Sequence, residues 1–357
     1  MRDSLRTWAR EYKVDGFRFD LMGHHSKDNL LAVQQDLRSL NAEQHGVDGA
    51  SIYLYGEGWN FGEVANDARF VQATQPNMGQ GTGIGTFNDR LRDAVRGGAH
   101  DDRGLAHVQS QGFVNGLYTD PNSENEQNEE QLQALLHAAD LVRVGLAGSL
   151  SEFRFTDRTG QVVASSEVDY HGQPAGYTSD PQEAINYVAA HDNETLFDIN
   201  QYKLPLSTTM QERVRAQNLA TSIVLLAQGI PFVHAGQELL RSKSLDRNSY
   251  DSGDWFNLLD FSYQDNGWGR GLPPKWDNEA NWSVAGPLLA NTELKPEAQH
   301  IKAAHRHYLE LLEIRRSSPL LRLPTAQAVK DAMRFHNTGP DQVPGLIVMS
   351  LEQAGQA

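Results

Sequence analysis

Three acidic residues stand among neighbours that could tune a carboxyl for work. Asp20 closes the alternating run 14–20 (VDGFRFD), two residues after Arg18. A period of two puts Arg18 and Asp20 on one face of a strand. A guanidinium that close would hold the carboxylate ionised, as a nucleophile requires. Glu57 lies between Gly56 and Gly58 and just before Trp59. The glycines would let backbone approach a ligand, and an aromatic wall would raise the carboxyl pKa towards that of a general acid. Asp192 lies between His191 and Asn193. A further anion there could stabilise an oxocarbenium-like transition state, while His191 donates to a sugar hydroxyl. Cleavage of a glycosidic bond uses two such carboxylates, one attacking or activating water and one protonating the leaving oxygen. Retention of configuration needs them roughly 5 Å apart.

Each signal alone has a plainer reading. Arg18 and Asp20 suit an ordinary ion pair at a strand end, Gly56 to Gly58 a turn, and Asp192 or Asn193 a helix N-cap with Glu194 nearby. His24 and His25 taken alone read as loop residues, and no H-E-x-x-H spacing supports a metal site. The weight lies in the joint, ordered occurrence of the three carboxylates.

The elements that must position them alternate. Helical spacing marks residues 3–12, 29–40, 88–95, 129–146, 208–227 and 297–315. Strand-like runs occupy 14–20, 51–55, 184–190 and 230–235, with a Gly-rich stretch at 79–85 and a long polar loop over 237–281. After Ser318 and Pro319 the texture changes, and 333–336 and 345–350 read as a hairpin. Strands alternating with helices predict a parallel sheet. The polar residues gather just beyond the strand ends, where (β/α)8 barrels place catalytic groups. A doubly wound sheet fits the same pattern, but no dinucleotide or P-loop glycine fingerprint accompanies it.

Composition narrows the function. With 31 basic against 46 acidic residues the net charge is −15, which repels phosphate backbones and argues against a nucleic-acid partner. The absence of cysteine removes disulfides, thiolate nucleophiles and Cys-ligated zinc. No apolar run reaches the length of a membrane span, and residues 1–10 have no signal-peptide core.

Residues 16–20 (GFRFD), 56–57 (GE) and 191–192 (HD), met in that order, resemble the α-amylase clan of retaining glucan hydrolases. Residues 15–24 (DGFRFDLMGH), 55–59 (YGEGW), 81–97 (GTGIGTFNDRLRDAVRG) and 187–194 (YVAAHDNE) look like type I pullulanases and limit dextrinases. Residues 230–239 (IPFVHAGQEL) and 248–254 (NSYDSGD) continue the similarity, which runs over essentially the whole chain.

The resemblance implies an α/β fold: a (β/α)8 TIM barrel represented by about strands four to eight over 1–318, with 319–357 as the start of an all-β C-terminal domain. It implies Asp20 as nucleophile, Glu57 as acid/base and Asp192 as transition-state stabiliser. Arg18 and His191 would hold the attacked sugar. His24, Trp59 and Asn193 would surround the cleaved linkage, with Asn248, Tyr250 and Asp254 reaching a neighbouring glucose. The implied reaction is hydrolysis of α-1,6 branches in pullulan, amylopectin and limit dextrins. An isoamylase or α-amylase-type specificity, or a non-catalytic glucan-binding barrel, are the alternatives. No cofactor is required, the resemblance allows calcium, and it implies secretion or cell-surface placement for the parent enzyme, with the cytoplasm left open. Barrel strands one to three are not identifiable in the sequence. The stretch alone is therefore expected to expose apolar edges, to be poorly soluble and to have little activity.

Overall fold

Five short strands pair side by side in the order in which the chain makes them. They are β1 (Gly16–Phe19), β2 (Tyr53–Gly56), β3 (Gly85–Phe87), β4 (Ala184–Asn186) and β5 (Ile230–Pro231) in a computed structural model that describes residues 1–352. Every neighbouring pair is parallel. The sheet is curled, half of a barrel, and among the described residues nothing pairs with the free edge of β1 or β5. Parallel neighbours need crossovers, and helices supply them: Lys27–Arg38 after β1, Asp89–Arg96 and Glu129–Leu146 after β3, Leu196–Lys203 and Met210–Leu226 after β4. The helix Ala298–Ser317 follows β5 and packs on Met210–Leu226. No described helix is long and apolar enough to cross a membrane.

Polar side chains start these helices where the sequence places them. Ser26, Asn88, Asn128 and Thr209 accept from backbone N–H groups of their first turns, satisfying donors that have no partner within the helix. The Glu129–Leu146 helix has the predicted bounds. The strands are shorter than their apolar runs. The run 184–190 is strand only to Asn186, and 230–235 only to Pro231. The Gly-rich stretch 79–85 leads straight into β3, a strand that periodicity does not mark because it is three residues long. The loop 237–281 contains short helical turns, among them Gly253–Asn257 and Lys275–Asn278.

Apolar burial divides into layers. Phe19, Leu30, Val33, Leu37 and Leu54 pack the Lys27–Arg38 helix against β1 and β2. A larger core unites the helices that follow β3, β4 and β5. Phe87, Ile185 and Tyr187 form a third cluster with Tyr53, Tyr55, Trp59 and Phe232. Gly56 is required where β1 and β2 meet: a Cβ there would lie 2.4 Å from Phe19 O.

The predicted C-terminal hairpin forms, pairing Met333–Phe335 antiparallel with Met349–Leu351. The helix Ala326–Ala332 precedes it, and Val329, Ala332 and Met333 share the large core. Residues 353–357 of the expected C-terminal segment lie outside the described residues. A buried ion pair ties this segment down. Arg143 donates to Asp140 at 2.7 Å, both side chains fully buried, and also to Asn337 O and to Gln342 Oε1, each at 2.7 Å. Removing one partner of a buried pair leaves a desolvated charge. Arg143→Met should therefore cost about 3–5 kcal/mol, measured as a lowered midpoint in urea unfolding. An unchanged midpoint would show that Arg158, 3.3 Å from Asp140, suffices alone.

Candidate active site

The chain beyond β1 turns sharply. Leu21 takes a left-handed backbone (φ 48°), which non-glycine residues seldom adopt. That turn aims the Leu21 N–H at Glu57 Oε2, 2.7 Å away. Arg18, on β1, donates to Asp20 Oδ1 at 2.7 Å and to Glu57 Oε1 at 2.6 Å. One guanidinium thus joins the carboxylate beyond β1 to the carboxylate beyond β2. Its carbon stands 5.6 Å over the Phe87 ring of β3, which fixes its depth.

Asp20, Glu57 and His191 bring ligand-type atoms within 4.8 Å of one another. His191 Nδ1 lies 3.4 Å from Arg18, while Nε2 lies 3.4 Å from Asp192 and 3.7 Å from Asp20. Arg18, Asp20, Glu57, His191 and Asp192 therefore form one constellation, as the sequence predicts. This is also the one group of three potential side-chain metal ligands among the described residues. It does not suit calcium, because the Arg18 guanidinium already occupies the carboxylate oxygens a cation would need.

The two candidate reacting carboxyls differ in environment. The Asp20 side chain is 62% exposed and that of Glu57 only 7%. Burial raises the Glu57 pKa. The Leu21 N–H and Arg18 pull it back, Asp20 and Asp192 push it up, and the net direction is upward. A buried carboxyl with a raised pKa beside a largely exposed one is the arrangement expected of an acid and a nucleophile.

The cleft has a volume of about 500 Å³, and Arg18, Glu57, Trp59, His191, Asp192, Asn193 and Asn248 line it. The exposed Asp20 carboxylate touches two of its wall residues, Arg18 and His191. His24 stands behind the wall, its ring 4.5 Å from that of Phe61. Tyr250 is not on the wall. It is 78% exposed and meets Trp276 edge to face. Asp254, in the short helix Gly253–Asn257, is exposed and also off the wall.

Two plainer readings are now decided. The helix Leu196–Lys203 is capped by Thr195, whose side chain accepts from Asp198 N, so neither Asp192 nor Asn193 is its cap. Gly56 and Gly58 allow close approach to protein backbone, at Phe19 O and Gln75 N, where a Cβ would clash.

The sequence reading did not single out Phe87, Arg92, Arg96, His100, Tyr187 and Arg247, which also line the cleft. A signal existed for two of them. Arg92 and Arg96 recur at i, i+4 on one helix beside apolar Leu91 and Val95, an unusual burial of charge that demands partners. Arg92 donates to the Tyr187 hydroxyl at 2.8 Å, and Arg96 lies 3.6 Å from Glu194.

Comparison with known proteins shows what the chain is similar to. Residues 263–357 match the family described as alpha-1,6-glucosidases, pullulanase-type, C-terminal. The chain is 52% identical over 99% of its length to pullulanase 1, chloroplastic, of Arabidopsis thaliana, covering 36% of that protein. It is 43% identical over 99% of its length to the pullulanase of Klebsiella aerogenes, covering 31% of it. A maltotriose complex of PulA from Klebsiella pneumoniae superposes on 98% of the chain with a TM-score of 0.91 at 43% identity, the match taking in 36% of that chain. The chain thus spans about a third of the length of the curated relatives it matches. Along almost its entire length, then, the chain is similar to part of the pullulanases, and its residues 263–357 match the pullulanase-type C-terminal family.

Proposed function

We propose that the protein acts as a debranching glycoside hydrolase, cleaving α-1,6-glucosidic linkages in pullulan, amylopectin and limit dextrins with retention of configuration. The observation that carries this is the pairing of Asp20 and Glu57 oxygens within 4.8 Å, joined by Arg18, at a cleft that also holds Asp192. That spacing falls short of the roughly 6.5–9.5 Å that an inverting pair needs to admit its attacking water beside the sugar, and it suits a covalent glycosyl-enzyme. Asp20 attacks the anomeric carbon. Glu57 protonates the departing 6-oxygen and then takes the proton of the incoming water. Asp192 and His191 hold hydroxyls of the attacked glucose and offset its positive charge. Arg18 holds Asp20 in place through its 2.7 Å hydrogen bond.

Trp59 offers a stacking face beside Glu57, with His24 and Asn193 flanking the leaving side. Asn248 on the wall, then Tyr250 and Asp254 farther out, would meet the next glucose. The same reading makes β1 to β5 barrel strands four to eight and takes 1–318 as barrel, with 319–357 opening a β-sandwich. It also carries secretion or cell-surface placement of the parent enzyme.

The test is reducing-sugar release from pullulan and from linear amylose by the purified chain, beside Asp20→Asn. Release from pullulan alone, lost in the variant, is the expected result. Its absolute rate should be low, because the sheet has two free edges. Release from amylose with pullulan intact would exclude the debranching specificity.

A further inference from the structure

Asp192 sits on a segment with neither helix nor strand to hold it, since residues 187–195 follow the end of β4 and precede the helix at Leu196. The next residue, Asn193, has a left-handed backbone (φ 61°). Asn tolerates this region better than most residues with a side chain, but the region is still less populated than the right-handed one and is selected by the surroundings. Three restraints meet there. Asn193 Nδ2 donates to His100 O at 3.0 Å, an oxygen that also accepts from Arg247 at 2.9 Å. The Glu194 carboxylate is buried next to His107 and Arg96. His107 Nε2 is 3.2 Å from Glu194 Oε1 but off the line of a hydrogen bond, so that contact is electrostatic. The third restraint is the shortest: Lys243 Nζ donates to Asn193 O at 2.8 Å.

Lys243 is only 1% exposed. Burying an ammonium is expensive unless carboxylates and acceptors surround it, and Asp198, Asp246 and Glu194 all act on it favourably. Its own position is set from behind. Asp198, fully buried, accepts from Lys243 N at 2.7 Å, from Leu245 N at 3.3 Å and from the Ser242 hydroxyl. Those bonds fix a turn in which Ser244 and Leu245 are also left-handed, and that leads through the buried Asp246 to Arg247 and Asn248 on the cleft wall. One buried carboxylate thus organises the segment beyond β5, and that segment's lysine reaches across to the segment beyond β4.

We infer that Lys243, braced by Asp198, is a positioning residue for Asp192: by gripping the Asn193 carbonyl it imposes the left-handed turn that presents Asp192 beside His191 and Asp20. The inference rests on the debranching reading for the role of Asp192, but the geometric claim stands by itself. Lys243→Met keeps the length and apolar stem and removes the donor. Misplacing a reacting group by about 1 Å can cost on the order of 100-fold, so kcat on pullulan should fall about 30- to 100-fold with KM changed less than about threefold. Glycine adopts the left-handed region without strain. Adding Lys243→Met to an Asn193→Gly chain should therefore cost far less than adding it to the unmodified chain. A purely structural lysine would give equal losses in both backgrounds.

The crystal structure of Lys243→Met should show Asn193 out of the left-handed region and the Asp192 carboxylate displaced from His191. Asn193 and Asp192 unmoved, or kcat per folded molecule within about twofold of the unmodified chain, overturns the inference. Should Lys243→Met fail to fold, Asp198→Asn takes its place, with the same fall in kcat at constant KM expected. A chain that cleaves amylose and leaves pullulan intact overturns the debranching reading; in that case, or where neither glucan is cleaved, the crystallographic comparison decides the positioning claim.

Discussion

Asp20→Asn should lower pullulan cleavage by about 10³-fold or more while leaving the fold intact. The amide has the shape of the carboxylate and keeps an oxygen for the Arg18 N–H that now lies 2.7 Å from Oδ1. What it lacks is the charge and lone pair that form the bond to the anomeric carbon. Removal of a covalent nucleophile elsewhere costs roughly 10⁶-fold, with binding and the remaining groups supplying the residual rate. Asp20 is largely exposed, so stability should change by no more than about 0.5 kcal/mol. Matched melting temperatures with lost reducing-sugar release are the expected pair of results. An Asn variant as active as its parent would remove Asp20 from the mechanism.

Glu57→Gln should cost about 10²- to 10⁴-fold, the usual range for a positioned proton donor, and the loss should depend on the leaving group. A substrate whose aglycone departs without protonation should recover most of the rate for bond cleavage, whereas pullulan should not. The pH profile carries the same signature. Burial raises the Glu57 pKa, so the acid form persists above the ordinary carboxyl range. Activity should then fall on the alkaline side as pH rises through that raised value, and the Gln variant should lack this limb. The sign for stability follows from the same shift. A carboxyl whose folded pKa is raised contributes stability at pH below its unfolded value of about 4.3. That contribution is lost as pH rises through the folded pKa. Melting temperatures of the Gln variant should be flatter than those of the parent across this window. A parent and variant with identical alkaline limbs would assign the limb to another group.

The local chemistry was legible in the chain because it is written in short-range spacing. Period two sets Arg18 and Asp20 on one face, and they meet at 2.7 Å. The 3.6-residue pattern of 129–146, opened by Asn128, is a helix over those residues. The ordered carboxylates beyond successive strand candidates point to one end of a parallel sheet, where β1, β2 and β4 bring them.

Other features depend on partners far along the chain. Arg18 contacts Glu57 across 39 positions and His191 across 173. No local pattern tells that one guanidinium bridges the two carboxyls. The raised pKa of Glu57 depends on burial, which the flanking glycines do not specify. Strand β3 has three residues, too few for alternation to show, and only pairing with β2 and β4 makes it a strand.

By itself, then, the sequence determined which side chains could act, in what order, and on which helices and strand ends they ride, because propensity and periodicity are local. Only the tertiary structure decided that Glu57 is buried and Asp20 exposed, and that Lys243 reaches Asn193. Each of these depends on which surfaces the closing sheet takes out of water, and that is fixed by contacts between distant segments.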